Sequence, residues 1–184
     1  MKRILICAAE PSGDALAASL VQELRHRRSD LQFSGLTGPL MRAARVHSLA
    51  SGEDATVLGV AEALGKAATA ARTLWRLEKA LRVWRPDLLL TVDSPSLLLR
   101  LAKRAKKRGI ITVHWVSPQI WAWRPGRARR IAKSVDCLLC LFSMEPPLYR
   151  GLDVRAVFVG HPAADRVLPK RVRQKKTSTG LRIG

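Results

Sequence analysis

Short apolar runs alternate with longer amphipathic stretches along this chain. The runs Arg3–Ala8, Leu31–Gly35, Asp87–Val92, Ile110–Trp115, Asp136–Phe142 and Ala156–Val159 predict strands. Helical periodicity falls near residues 14–28, 66–85, 95–108 and 125–134. Strands that alternate with helices predict an α/β fold: a Rossmann-like parallel sheet with helices on both faces. Near-continuous apolar strands such as DLLLTV at 87–92 fit a sheet buried on both sides. No internal repeat is visible. Residues 1–168 read as one domain, and the polar, basic stretch 169–184 reads as a linker.

The pattern at 66–85 carries a second message. Ala67, Ala70, Leu74, Leu77, Leu81 and Trp84 share one helical face, which is expected to pack inward. Arg72, Arg76, Lys79 and Arg82 lie opposite, and at about 100° per residue Trp75 falls among them. A Trp amid Lys and Arg suits a helix lying on anionic lipid. A contact with another part of a larger protein is the alternative.

Charge sharpens this reading. The 184 residues hold 33 Lys and Arg against 14 Asp and Glu, a net charge of +19. Such an excess argues for an anionic partner: nucleic acid, an anionic membrane surface or a phosphorylated ligand. The basic residues are spread over several helices and form no recognised nucleic-acid motif, so nucleic acid is disfavoured. Three cysteines, an odd number, fit a reducing compartment. Cys137 and Cys140 spell C-x-x-C inside a predicted strand. They would therefore face opposite sides of the sheet, which argues against a shared metal or a disulfide. The apolar start is too short for a signal peptide and meets Glu10 and Asp14 at once. No run is long enough to span a bilayer. The expectation is a cytoplasmic protein with peripheral membrane contact.

Ligand sites in such sheets form at the C-terminal ends of strands, and three stretches fall there. In AAEPSGDALAASL, strand 1 turns through Pro11 and Gly13 into a helix that Ser12 or Asp14 could cap. A free helix start attracts anions, which Asp14 would oppose. In TVDSPS, Asp93 ends a buried strand, Ser94 is a candidate N-cap and Pro95 takes the first helical position. Asp93 could act as a general base or could merely help to cap the helix. In WVSPQIWAWRPGRARR, three of the five tryptophans fall between 115 and 123, followed by Arg124, Arg127, Arg129 and Arg130. Trp115 at a strand end is expected to join the core. Trp121, Trp123 and Arg124 are read as the rim of a site for an amphipathic anion.

AEPSGD (9–14), LGVAEAL (58–64), VDSPS (92–96), VSPQIWAWR (116–124) and VGHPAAD (159–165) occur here in one order. In that order and spacing they resemble the lipid-A-disaccharide synthase family, from about Ile4 to Leu168. The resemblance implies the N-terminal, acceptor-side half of a GT-B fold. It implies an inverting transfer from UDP-2,3-diacylglucosamine to 2,3-diacylglucosamine 1-phosphate, in lipid A synthesis at the Gram-negative inner membrane. No metal or cofactor is implied. Asp93 matches the family's candidate base. Glu10, Ser12, Gly13 and Asp14 match its first-loop motif, Ser117, Trp121, Trp123 and Arg124 its tryptophan motif, and His161 and Asp165 its last motif before the second domain. The helix after LGVAEAL, with Arg72, Trp75, Arg76 and Lys79, matches its membrane-facing segment. The end GLRIG resembles the first strand of a C-terminal donor domain, so the UDP-sugar would bind only through a domain absent here. The 184-residue chain alone is expected to be inactive. The alternative is a non-catalytic module that binds the acceptor lipid or an anionic membrane.

Overall fold

The structure, a computed structural model, describes residues 1–52, 62–119 and 125–167, with the backbone only at 62–67, 125 and 165–167. Seven parallel strands form one sheet: β1 (Lys2–Ala8), β2 (Leu31–Thr37), β3 (His47–Ser51), β4 (Leu88–Val92), β5 (Ile111–Trp115), β6 (Cys137–Cys140) and β7 (Arg155–Phe158). Their spatial order is β3-β2-β1-β4-β5-β6-β7. The helices are α1 (Pro11–Arg27), α2 (Pro39–Ala43), α3 (Glu62–Val83), α4 (Pro95–Lys106), α5 (Ala128–Ala132) and α6 (Pro162–Val167). A 3₁₀ turn, Pro125–Arg127, leads into α5, and a second spans Pro146–Tyr149.

Alternate residues of each central strand feed two separate cores. Leu5, Cys7, Leu36, Leu89 and Leu138 face α3, α4 and α5, meeting Leu77, Leu81, Leu98, Leu101 and Ile131. Ile6, Ala8, Phe33, Leu90 and Val92 face α1 and α2, meeting Ala17, Val21 and Met41. Every one of these side chains is nearly or fully buried. This is the two-sided burial that the continuous apolar runs imply. Gly35 is required where β2 meets β1: a Cβ there would sit 1.7 Å from the Ile6 carbonyl oxygen. The β2–β3 register shifts just beyond it, between Gly35 and Leu36.

Three labelled elements escape the sequence pattern: β3, α2 and the six-residue α6. β3 is an edge strand whose His47 and Ser48 are exposed, so it shows no apolar run. α2 has five residues, too few for a helical period. The predicted caps of α1 are corrected as well. The helix begins at Pro11 with Glu10 as N-cap, so Ser12 and Asp14 lie inside its first turn. Cys137 is half-buried and Cys140 buried, both as free thiols, and Cys140 packs in the core beneath α4 and α5. Trp115 packs against the α1-side core, as expected.

His114 on β5 is fully buried. Its Nδ1 lies 2.8 Å from Thr91 Oγ1, which donates to the Val113 carbonyl at 3.3 Å. Nε2 on the other side of the ring has no hydrogen-bond partner among the described residues. Burial holds the His114 pKa down to about 4, against an ordinary 6.5. The unfolded chain therefore binds a proton that the folded chain refuses. Stability due to neutral His114 is complete above pH 6.5 and falls as the pH drops towards 4. The loss should reach about 3 kcal/mol. Denaturant unfolding at stepped pH should show this slope in the parent and a shallower one in His114→Leu.

Candidate functional site

β1 and β4 are neighbours in register, with Ala8 opposite Val92. The chain leaves them in opposite directions, to β2 on one side and β5 on the other. A crevice at such a divergence is where open parallel sheets bind ligands. Glu10 and Ser94 are the N-caps of α1 and α4 on its two banks. Neither makes a side-chain cap to its own helix. Instead Ser94 Oγ donates to Glu10 Oε1 at 2.7 Å and ties the banks together. Gly13 lets α1 come this close, since a Cβ there would meet the Val92 carbonyl oxygen at 3.2 Å.

The backbone at the end of β4 is strained. Asp93 and Ser94 have φ of 55° and 44°, and Val116 at the end of β5 has φ of 76°. All three lie in the left-handed region that side chains disfavour, most of all β-branched ones. Asp93 N donates to the Trp115 carbonyl at 2.9 Å, and Ser94 N donates to Asp93 Oδ1 at 2.8 Å. The turn thus stands the half-buried Asp93 carboxylate at the strand end, with Oδ2 unpartnered among the described residues.

A cleft of about 710 Å³ opens over this point, and Asp93, Ser117 and His161 all line it. Ser117 is buried and shares a hydrogen bond of 3.1 Å with Tyr149 Oη, so it anchors the floor. Burial pushes the Tyr149 phenol up to about 12. His161 is exposed and accepts from Ala163 N at 3.1 Å through Nδ1, which leaves Nε2 as its free donor. Its ring lies 6.2 Å from Phe142.

Asp14 serves a different end. Its carboxylate is buried and accepts from Gly38 N at 2.9 Å, Leu40 N at 2.8 Å and Met41 N at 3.0 Å. These bonds fix the start of α2. Glu10 and Asp14 both border a smaller crevice of about 160 Å³ at the ends of β1 and β2. Ser12 is exposed and lines neither space. Trp121, Trp123 and Arg124 lie outside the described residues, as does most of LGVAEAL, and so does the side chain of Asp165 on α6. The flanks of the tryptophan segment, Gln119 and Arg127, both line the cleft. Arg72, Trp75, Arg76 and Lys79 are all exposed on α3, opposite the buried Leu77 and Leu81.

Sequence reasoning did not single out Phe142 or Glu145. Glu145 is buried in the cleft wall, accepts from Phe142 N at 2.9 Å, and is pushed up in pKa by burial. Its signal was an isolated acid in an apolar stretch, SMEPPLY, of a strongly basic chain.

Known structures share the fold. MurG of Acinetobacter baumannii superposes with a TM-score of 0.55 at 12% identity, covering 88% of this chain and 46% of that one. The calicheamicin glycosyltransferase CalG4 gives 0.55 at 16%, covering 87% and 53%. A UDP-GlcNAc 2-epimerase from Neisseria meningitidis also gives 0.55, at 11% identity, covering 81% and 42%. The architecture is therefore the Rossmann-like half of a GT-B fold, and by itself it does not select a reaction. Sequence does more. The lipid-A-disaccharide synthase of Chromobacterium violaceum is 44% identical over 165 residues, 90% of this chain and 43% of the relative. That of Anaeromyxobacter dehalogenans strain 2CP-C is 44% identical over 179 residues, 97% and 47%. The chain thus spans about half the length of the curated relatives it matches. A family model described as lipid-A-disaccharide synthetase matches residues 4–183, nearly end to end, and the chain belongs to that family.

Proposed function

We propose that this chain is the acceptor-side half of a lipid-A-disaccharide synthase. The reaction joins UDP-2,3-diacylglucosamine to 2,3-diacylglucosamine 1-phosphate and releases UDP. The observation that carries the reading is the meeting of Asp93, Ser117 and His161 on one cleft at the divergence of the strands. The acylated acceptor lies in that cleft, with its sugar hydroxyl at Asp93. The hydroxyl oxygen attacks the donor's anomeric carbon from the face opposite UDP. The new C–O bond forms as the bond to UDP breaks, UDP leaves with the electron pair, and the hydroxyl proton passes to Asp93. The donor sits on a second Rossmann-like domain of the kind the family resemblance implies. Acylated substrates place this work at the cytoplasmic surface of the inner membrane. No helix among the described residues is long and apolar enough to cross a bilayer, and the exposed cationic face of α3 supports contact with its anionic surface.

Glu10 and Ser94 act in this reading as positioning residues. Ser94 N holds Asp93 Oδ1 while Ser94 Oγ is held by Glu10, so one residue joins the first loop to the base.

Two outcomes test the assignment in a protein carrying this half together with a donor half. Asp93→Asn keeps the side-chain shape and an acceptor for Ser94 N, so the fold should persist. Its single-turnover rate should drop by about 10²–10⁴-fold, the range of general-base catalysis. A folded variant within about threefold of the parent, far below that range, removes Asp93 from the chemistry. Ser94→Ala should lower the unfolding free energy by about 1 kcal/mol, as one charge-assisted bond to an exposed carboxylate is lost. It should also reduce the rate, by less than Asp93→Asn does, because the base itself remains. A rate loss with Asp93→Asn and none with Ser94→Ala would limit Glu10 to binding the two banks together.

A further inference from the structure

A second space among the described residues, somewhat larger than the cleft, lies at the opposite end of the sheet. A pocket of about 800 Å³ opens at the N-terminal ends of the strands, beside β2 and the last turns of α3. β3 pairs with β2 only from Ser34 onward, so the outer edge of Leu31–Phe33 has no neighbouring strand among the described residues. The pocket wraps this edge, between the C-terminal turn of α1 and α3. A seven-residue strand separates it from the cleft, roughly 20 Å at the usual rise per residue. It shares no lining residue with that cleft.

Its walls are apolar. Leu31, Phe33 and Trp84 form the inner part, while Trp75 and Val83 stand 59% and 73% exposed at the mouth. Three cations, Arg25, Arg76 and Lys79, border the same space, and among the described residues no Asp or Glu does. Two of them rest on aromatic rings: the Lys79 ammonium 5.7 Å from the centre of Trp75, and the Arg25 guanidinium 5.1 Å from that of Phe33. Arg25 Nη2 donates to the Arg45 carbonyl at 3.1 Å, which holds the guanidinium at the border of the pocket.

The two properties together select the ligand. A simple anion would leave Trp75 and Val83 in water, and a hydrocarbon alone would cover three cations without pairing them. A molecule with a phosphate head and an acyl tail satisfies both. We propose that this pocket seats an acyl chain of an anionic membrane phospholipid, with its phosphate held by Arg25, Arg76 and Lys79. The site is separate from the acceptor cleft and does not depend on the glycosyl-transfer reading. Bound there, the molecule meets the bilayer through the edge of its sheet rather than through the whole cationic face of α3. Arg72 marks the difference: it is exposed on the same helix yet does not line the pocket.

The test uses the 184-residue chain with vesicles of mixed phosphatidylglycerol and phosphatidylcholine, and with phosphatidylcholine alone. Binding is read by co-sedimentation, and depth by quenching of Trp fluorescence with lipids brominated along the acyl chain. The chain should bind only the anionic vesicles, and the quenching should weaken in Trp75→Phe and be lost when Trp84→Phe is added. Val83→Asp and Arg76→Glu should each weaken binding by about tenfold or more, while Arg72→Glu stays within about threefold. Val83 and Arg76 are exposed, and matched thermal melts check that the variants fold. Asp93→Asn should bind like the parent, so loss of the catalytic reading leaves this one standing. Equal losses from Arg72→Glu and Arg76→Glu with none from Val83→Asp would replace the pocket by a diffuse charged face. Equal binding to phosphatidylcholine alone, absence of quenching, or a dimer that Val83→Asp dissociates would each overturn the proposal.

Discussion

The pairing of β1 with β4 is the constraint on which the rest of the site depends. Five residue pairs, from Ile4 with Leu88 to Ala8 with Val92, set these strands level at their C-terminal ends. The chain then diverges, and the starts of α1 and α4 stand side by side. Glu10 and Ser94 are 84 positions apart in sequence yet 2.7 Å apart in space because of that register. A slip of one residue would exchange Leu5 and Cys7 with Ile6 and Ala8 between two different cores. Two-sided burial therefore fixes the geometry of the candidate site more firmly than any contact inside the cleft.

Acidic residues are scarce in this chain, and four of those in the structure are engaged in the backbone's own needs. Asp14 holds the start of α2. Asp87 accepts from Arg3 N and Asp136 from Thr112 N, each tying the start of one strand to its neighbour. Both carboxyls are held below their ordinary range, Asp87 chiefly by the Arg3 amide, and Asp136 by its Thr112 bonds against the opposing effect of burial. Glu145 holds the turn at Phe142. Asp93 differs because its one hydrogen bond among the described residues is local, to the amide of the next residue, and its side chain borders the cleft. A carboxylate kept at a strand end with its second oxygen open is suited to accept a proton.

Much of this was legible beforehand, for identifiable reasons. The strands buried on both faces announce themselves as apolar runs, and the inward face of α3 follows from Leu74, Leu77 and Leu81 at helical spacing. His47–Ser51 escaped because an edge strand has only one neighbour and can keep polar side chains. The positions of Asp93 and Ser94 were readable from the Ser-Pro helix start, yet the partner of Ser94 was not. Nothing local in DSPS indicates that its hydroxyl turns away from its own helix to Glu10. Asp14 was ambiguous for the same reason: a carboxylate in the first turn of α1 suggests a local cap, and its real partners come from α2.

The backbone explains why the cleft is where it is. Among the described residues five non-glycine positions have positive φ, and Asp93, Ser94 and Val116 border or cap the cleft. Each such conformation costs on the order of 1–3 kcal/mol, which only a rigid surrounding can sustain. That rigidity is present: Val92 is fully buried, Asp93 N is bonded to the Trp115 carbonyl, and Val116 N to that of Leu139. The left-handed pair carries the chain from β4 into α4, where Ser94 meets Glu10 and Asp93 borders the cleft. The strain has no use for stability, and its place at the divergence of the sheet makes Asp93 the residue around which the cleft is built.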